Sequence, residues 1–131
     1  QVVEQFPNVR MVATTLRESY SASHNNWGAM LYDAQEDRAY FAPEEDGEYE
    51  PYEIRNIVDR VGAGDSFAGG LMGALARNGE VSESALRQAM LYGSTVASFG
   101  VEEFSLDRFI RLTEDDITRR SEELAAMVAL D

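Results

Sequence analysis

Residues 9–16 make a short apolar run, with Val9, Met11, Val12, Ala13 and Leu16 around Thr14 and Thr15, set off by Pro7 and Asn8. Its length and β-branched content predict a buried strand of the sort found in parallel sheets. Residues 2–6 read as the end of a helix stopped by Pro7, so the chain looks like the tail of something longer. Residues 19–26 are polar and predict a loop. Two apolar stretches, 27–32 and 38–42, flank the polar residues 33–37, which is a hairpin signature. Residues 44–53 hold six acids and no base, a solvated loop without the ligand spacing of an EF-hand. Residues 54–58 predict another short strand, ending at Asp59.

From Gly64 the period becomes helical. Ala68, Leu71, Met72 and Leu75 fall at i, i+3, i+4 and i+7 and predict one apolar face. Asn78 and Gly79 end that helix with residues that tolerate a left-handed backbone. Ser82 is the expected N-cap of a second helix reaching about residue 98, through Leu86, Ala89, Met90, Gly93 and Ala97. Ser105 is expected to cap a short turn carrying Leu106, Phe109 and Ile110. Thr113, followed by Glu114, Asp115 and Asp116, starts a last helix with acids at its positive dipole end. Ile117, Leu124 and Val128 supply its apolar stripe.

Composition narrows the function. The 131 residues carry 11 Lys+Arg against 24 Asp+Glu, a formal charge of -13. Such a charge opposes binding to nucleic acid or anionic lipid. No apolar run is long enough to span a bilayer and no secretory signal is recognisable, so the expected location is cytoplasmic. The absence of cysteine removes disulfides, thiolate metal sites and cysteine nucleophiles. His24 is the only histidine, which excludes a His-based metal site or a Ser-His-Asp triad. It reads as a solvated loop residue, Trp27 and the tyrosines as strand packing, and the methionines as core. No metal ligand set is expected.

The stretch that carries chemistry is Asp59-Arg60-Val61-Gly62-Ala63-Gly64-Asp65-Ser66-Phe67. A strand leads into a Gly-Ala-Gly turn and a helix leaves it. Glycines let the backbone approach a ligand closely. The first helical turn offers unpaired N–H groups and the positive end of the dipole, a seat for phosphate. Neither a Walker A loop nor a dinucleotide fingerprint fits the glycine spacing. Asp65 at such a mouth has two readings. As a general base it would take a proton from an attacking hydroxyl while the amides of Gly62, Ala63 and Gly64 hold the developing charge. As a helix cap it would need no chemistry at all.

The run Asp59-x-x-Gly62-Ala63-Gly64-Asp65-x-Phe67 resembles the signature of the ribokinase (PfkB) carbohydrate kinases. The segments around Thr14-Thr15-Leu16-Arg17-Glu18, Asn25-Asn26-Trp27-Gly28-Ala29 and Ile57-Val58-Asp59-Arg60 are similar to the 2-dehydro-3-deoxygluconokinases among them. The resemblance implies an α/β fold: a short sheet with a β-hairpin followed by three to four helices, the C-terminal part of a ribokinase-like kinase. Residues 1–131 would form one unit, the nucleotide-binding and catalytic-base portion, with the N-terminal substrate and lid portion outside it.

It also implies roles. Asp65 would be the base, and Gly62, Ala63 and Gly64 the anion hole. Asp59 and Val61 would help hold a monovalent cation such as K+. Thr15, Arg17, Ser94, Ala97, Gly100 and Val101 would line the nucleotide, ATP with Mg2+. Most relatives carry glycine where this chain has Arg17, which would clamp phosphate or a sugar-acid carboxylate, or pair with a surface acid. The small residues between 94 and 101 suit a flat base and suit helix packing equally. The family's Asn-x-x-Glu motif and main acceptor site are not among these residues. The implied activity is therefore phosphorylation of a sugar or sugar acid by the parent protein. The chain by itself is expected to be inactive, or to serve as a nucleotide- or anion-binding module, and to expose apolar surface that favours a homodimer.

Overall fold

A computed structural model describes residues 2–45 and 47–128. A single turn, α1 (Val2–Gln5), precedes the strand β1 (Met11–Ser19). The hairpin follows as β2 (His24–Asp33) and β3 (Arg38–Ala42), joined by a turn in which Asp37 has φ 51°. Two short strands, β4 (Glu44–Glu45) and β5 (Glu48–Tyr49), pair with each other before β6 (Tyr52–Arg55). The rest is helical: α2 (Ala63–Asn78), α3 (Glu83–Gly100), α4 (Asp107–Ile110) and α5 (Glu114–Val128).

The sheet is organised around β2. On one side β1 runs antiparallel along its whole length, from Met11 opposite Asp33 to Ser19 opposite Asn25. On the other side β3 covers its second half and β6 its first, both antiparallel. Strand alternation sends Asn25, Trp27, Ala29, Leu31 and Asp33 to one buried face. That face meets Phe67, Leu71, Leu86, Ala89 and Met90 of α2 and α3 in the main core. The expected buried, parallel-type strand at 9–16 is thus an antiparallel edge strand. Ala13, Thr14 and Arg17 are exposed, because among the described residues nothing pairs with the far edge of β1.

Two glycines set the distance between α2 and α3. A Cβ on Gly70 would lie 2.9 Å from the Cα of Gly93, and one on Gly93 would lie 2.7 Å from the carbonyl oxygen of Phe67. The helices touch through backbone there, which turns α2 about its axis. Its buried positions are Ala63, Phe67, Gly70, Leu71 and Ala74, while Ala68 is exposed and Met72 is 62% exposed. The expected face through Ala68, Met72 and Leu75 is rotated by about one residue, and Met72 is not core.

Other expectations meet specific corrections. The strand expected at 54–58 ends at Arg55, where Asn56 takes φ 63° and breaks the extended backbone. The acidic stretch is not all solvated loop: Glu44 is half-buried and ion-paired with Arg87 of α3. Ser105 caps nothing. It sits at φ 56° and gives its main-chain N–H to Asp59 at 3.0 Å. His24 is half-buried with its Nε2 2.6 Å from Glu53 Oε1 and its ring stacked on Tyr20. The helix ends do follow the sequence. Gly79 closes α2 at φ 72°, the Ser82 hydroxyl accepts from Ala85 N, and Thr113 and Asp116 bond reciprocally at the start of α5. In α5, Leu124 is buried and Ile117 half-buried; the side chain of Val128 lies outside the described residues.

Candidate active site

The segment from β6 to α2 is positioned from three sides. Ile57 N donates to Ser23 O, and Val58 N and Asp59 N donate to Val101 O at 2.8 and 3.2 Å. The guanidinium of Arg60 bonds the carbonyls of Ser21 and Ala22 in the β1–β2 turn. These contacts fix the loop against the C-terminal end of α3 and the far end of the sheet. Gly62 then turns the chain at φ 79° and α2 begins.

The first turn of α2 has no side-chain cap. Among the described residues, the amides of Gly62, Gly64 and Asp65 donate to no protein acceptor. Ala63 N makes only a long bond of 3.4 Å to Arg60 O, and Ser66 N, at 2.8 Å from Gly62 O, makes the first regular helical bond. Asp65 stands in this turn rather than before it, so the capping reading does not apply. Its side chain is exposed, with no hydrogen bond or ion pair among the described residues. An unpaired carboxylate next to open amides is the arrangement a general base beside an oxyanion seat requires.

Cationic charge lies close by. Arg17, on β1, is exposed and pairs with no acid among the described residues, so the expected surface ion pair is not formed. Arg60 bonds only neutral carbonyls. Both arginines line a crevice of about 20 Å³ with Ala63, Ala97 and Val101. The structure therefore gathers four of the expected residues, Arg17, Ala63, Ala97 and Val101, at the mouth of α2. Thr15 is half-buried two residues along β1 from Arg17, and the two share a shallow groove with Tyr49.

Asp59 has a different job. Its Oδ1 accepts from Val61 N at 3.0 Å and its Oδ2 from Ser105 N at 3.0 Å. These bonds, the Val61 amide first, hold its carboxyl below the usual aspartate range. Asp59 is thus a brace tying the glycine turn to the segment before α4. A cation held here would share the Asp59 oxygens with these two amides, whereas among the described residues no main-chain hydrogen bond outside the regular helices and strands reaches the Val61 carbonyl.

Two expected nucleotide contacts belong to the core instead. Ser94 is fully buried inside α3, its Oγ unpartnered, and it lines none of the crevices at this mouth. Gly100 is buried too. A Cβ there would lie 3.0 Å from Phe109 and 3.2 Å from Ser66 Oγ, so its smallness serves packing of α4 and α2. Three residues escaped the sequence reading. Arg60 was flagged only by its place inside the Asp59-to-Phe67 run. Asn25 and Trp27, lining the crevice with Oδ1 and Nε1 lacking partners, entered the sequence reading only as part of the 25–29 segment of the resemblance and, for Trp27, as strand packing.

Comparison with known proteins adds the following. Residues 30–109 match the model of the pfkB family of carbohydrate kinases. No curated protein matches the sequence. The structure of 2-dehydro-3-deoxygluconokinase from Thermotoga maritima superposes with a TM-score of 0.67 at 30% identity, over 92% of this chain and 32% of that one. A PfkB family carbohydrate kinase from Listeria grayi superposes with a TM-score of 0.70 at 19% identity, again over 92% and 32%, and speaks for the fold alone. The chain thus spans about a third of the length of these structures. Among the described residues, no helix is long and apolar enough to cross a membrane.

Proposed function

The chain belongs to the pfkB family of carbohydrate kinases, and from that premise we propose that it supplies the phosphoryl-transfer centre of an ATP-dependent kinase acting on a sugar acid, 2-dehydro-3-deoxygluconate. The observation that carries the proposal is the exposed, unpaired Asp65 in the uncapped first turn of α2. The substrate is suggested by the 2-dehydro-3-deoxygluconokinase superposed above, and by Arg17, whose planar fork suits a carboxylate or a phosphate.

In this reading Asp65 accepts the proton of the acceptor hydroxyl. The freed oxygen attacks the γ-phosphorus as the bond to the bridging oxygen breaks, and ADP leaves. The amides of Gly62 and Gly64, the positive end of α2 and the guanidinium of Arg17 stabilise the charge on the transferred group. Asp59 acts at one remove, fixing the glycine turn. Mg2+ would arrive with the nucleotide and neutralise phosphate charge. Among the described residues no cluster of three His, Asp or Glu forms a separate metal site.

The test is Asp65→Asn in a polypeptide of the relatives' length that carries this chain. Turnover should fall by about 10²–10⁴ with ATP affinity retained. Unchanged turnover would remove Asp65 from the chemistry. Titrating the 131-residue chain with MgATP is the companion experiment. Binding without transfer supports the reading of these residues as a nucleotide-binding module.

A further inference from the structure

The last turn of α3 is gripped by two arginines from different elements. Phe99 is 2% exposed, and its ring carries the guanidiniums of Arg120 on α5 and Arg108 on α4, with their Cζ atoms 3.5 and 4.7 Å from its centroid. Both also reach the carboxylate of Glu102, Arg120 Nη1 at 2.5 Å and Arg108 Nε at 3.5 Å. Arg120 Nη1 lies 3.4 Å from Ser98 Oγ as well. The C-terminal end of a helix is its negative pole, and an aromatic face attracts a guanidinium, so both effects draw the arginines here. Neither is a loose surface charge. The Arg120 side chain is 26% exposed and that of Arg108 17%, whereas Arg77 and Glu114, which pair α2 with α5, are 65% and 70% exposed.

This grip closes on the segment that carries the glycine turn. Glu102 follows Val101, whose carbonyl takes the amides of Val58 and Asp59, and Ser105 gives its own amide to Asp59 Oδ2. The main chain holds the segment only lightly. Val101 N reaches Ala97 O at 3.3 Å, Glu102 N closes a tight turn on Phe99 O at 3.1 Å, and Ser105 is left-handed at φ 56°. Side chains must therefore fix where it sits. Among the described residues, Glu102 with Arg120 is the one ion pair joining residues 101–106 to α5. That helix is in turn tied to α3 by Ser121 Oγ, 3.1 Å from Thr95 Oγ1.

We propose that Arg120 and Glu102 are positioning residues for phosphoryl transfer: they hold residues 101–105 as the backstop of Asp59 and the glycine turn, so that the last helix sets the aim of the amides beside Asp65. The effect on turnover rests on the kinase reading of Asp65; the effect on the loop rests on packing alone. Both residues act through the main chain of Val101 and Ser105 and not on the reacting atoms.

The test is hydrogen exchange read by mass spectrometry beside steady-state kinetics, on a polypeptide of the relatives' length that carries this chain. Arg120→Met keeps an unbranched stem and removes the charged fork. Amides 57–62 should exchange at least about threefold faster, with residues 86–97 of α3 unchanged. Turnover should fall about tenfold with KM for the sugar acid within about twofold, because the glycine-turn amides act on charge that develops during transfer. Arg77→Met cuts the exposed pair between α2 and α5 and should change neither readout. Glu102→Gln, nearly isosteric, carries the same expectation as Arg120→Met should that variant fail to fold. Equal effects of Arg120→Met and Arg77→Met, or faster exchange throughout α3, would show that Arg120 merely anchors α5 and would overturn the proposal. Unchanged exchange at 57–62 overturns it too, and leaves the role of Asp65 untouched. An active Asp65→Asn variant sinks the kinase reading and leaves the exchange difference standing.

Discussion

α2 and α3 lie side by side and begin in opposite ways. α3 starts on Ser82, whose hydroxyl takes the Ala85 amide, so its first turn is closed on itself. α2 starts on a left-handed glycine that offers no side chain, and among the described residues the amides of Gly64 and Asp65 have no protein acceptor. The same chain therefore builds one helix start closed by its own side chain and one left without a cap. What lets α2 keep an open start is its middle, where Gly70 and Gly93 bring it against α3 at backbone distance. Packing along the helix holds what a cap would otherwise hold at its end.

The strongest way to break this arrangement is Gly93→Val. Its branched side chain would be driven into the Phe67 carbonyl, which cannot swing aside, and stability should drop by about 3 kcal/mol in urea titration. The contrast between the two helix starts is sharpened by a smaller pair of changes. Ser82→Ala should cost about 1 kcal/mol, the usual worth of a cap. Asp65→Asn should stay within about 0.5 kcal/mol, because Asp65 caps nothing. An Asp65→Asn penalty as large as that of Ser82→Ala would mean the open start is structural after all.

The weakest effect concerns the brace. The Asp59 carboxyl is held below its ordinary value in the folded chain. Its contribution is complete above the unfolded pKa, near 3.9, and is lost as pH falls through the lower folded value. The stability gap between the parent chain and Asp59→Asn should therefore be constant above about pH 5 and close below about pH 4. A gap that persists unchanged into strong acid would show that the carboxylate is not what ties Val61 to Ser105.

Sequence was most informative where a single residue type carries a local meaning. Gly79, Ser82 and Thr113 announce helix ends because a left-handed stop or a capping oxygen acts within three or four residues. The glycine turn and Asp65 were legible for the same reason. The face of α2 was not, because the residue that orients it, Gly70, has no side chain to enter a hydrophobic pattern. Glu44 meeting Arg87 and Asp59 meeting Ser105 join residues far apart in the chain, and nothing local in either partner foretells the other. Ser94 and Gly100 show the converse ambiguity. Small residues in a helix look alike whether they make room for a ligand or for a neighbouring helix, and here the neighbour occupies the space.

Gly62 has one more consequence. At φ 79° its backbone has the opposite handedness to the helix it introduces, yet no atom lies within 4 Å of where an L-side chain would begin. What the position excludes is not bulk but chirality. Of the twenty genetically encoded residues only the achiral one sits there without strain, and a mirror-image amino acid introduced by chemical synthesis would be at home in the same bend. The aim of α2 is set by an absence of stereochemistry at one carbon.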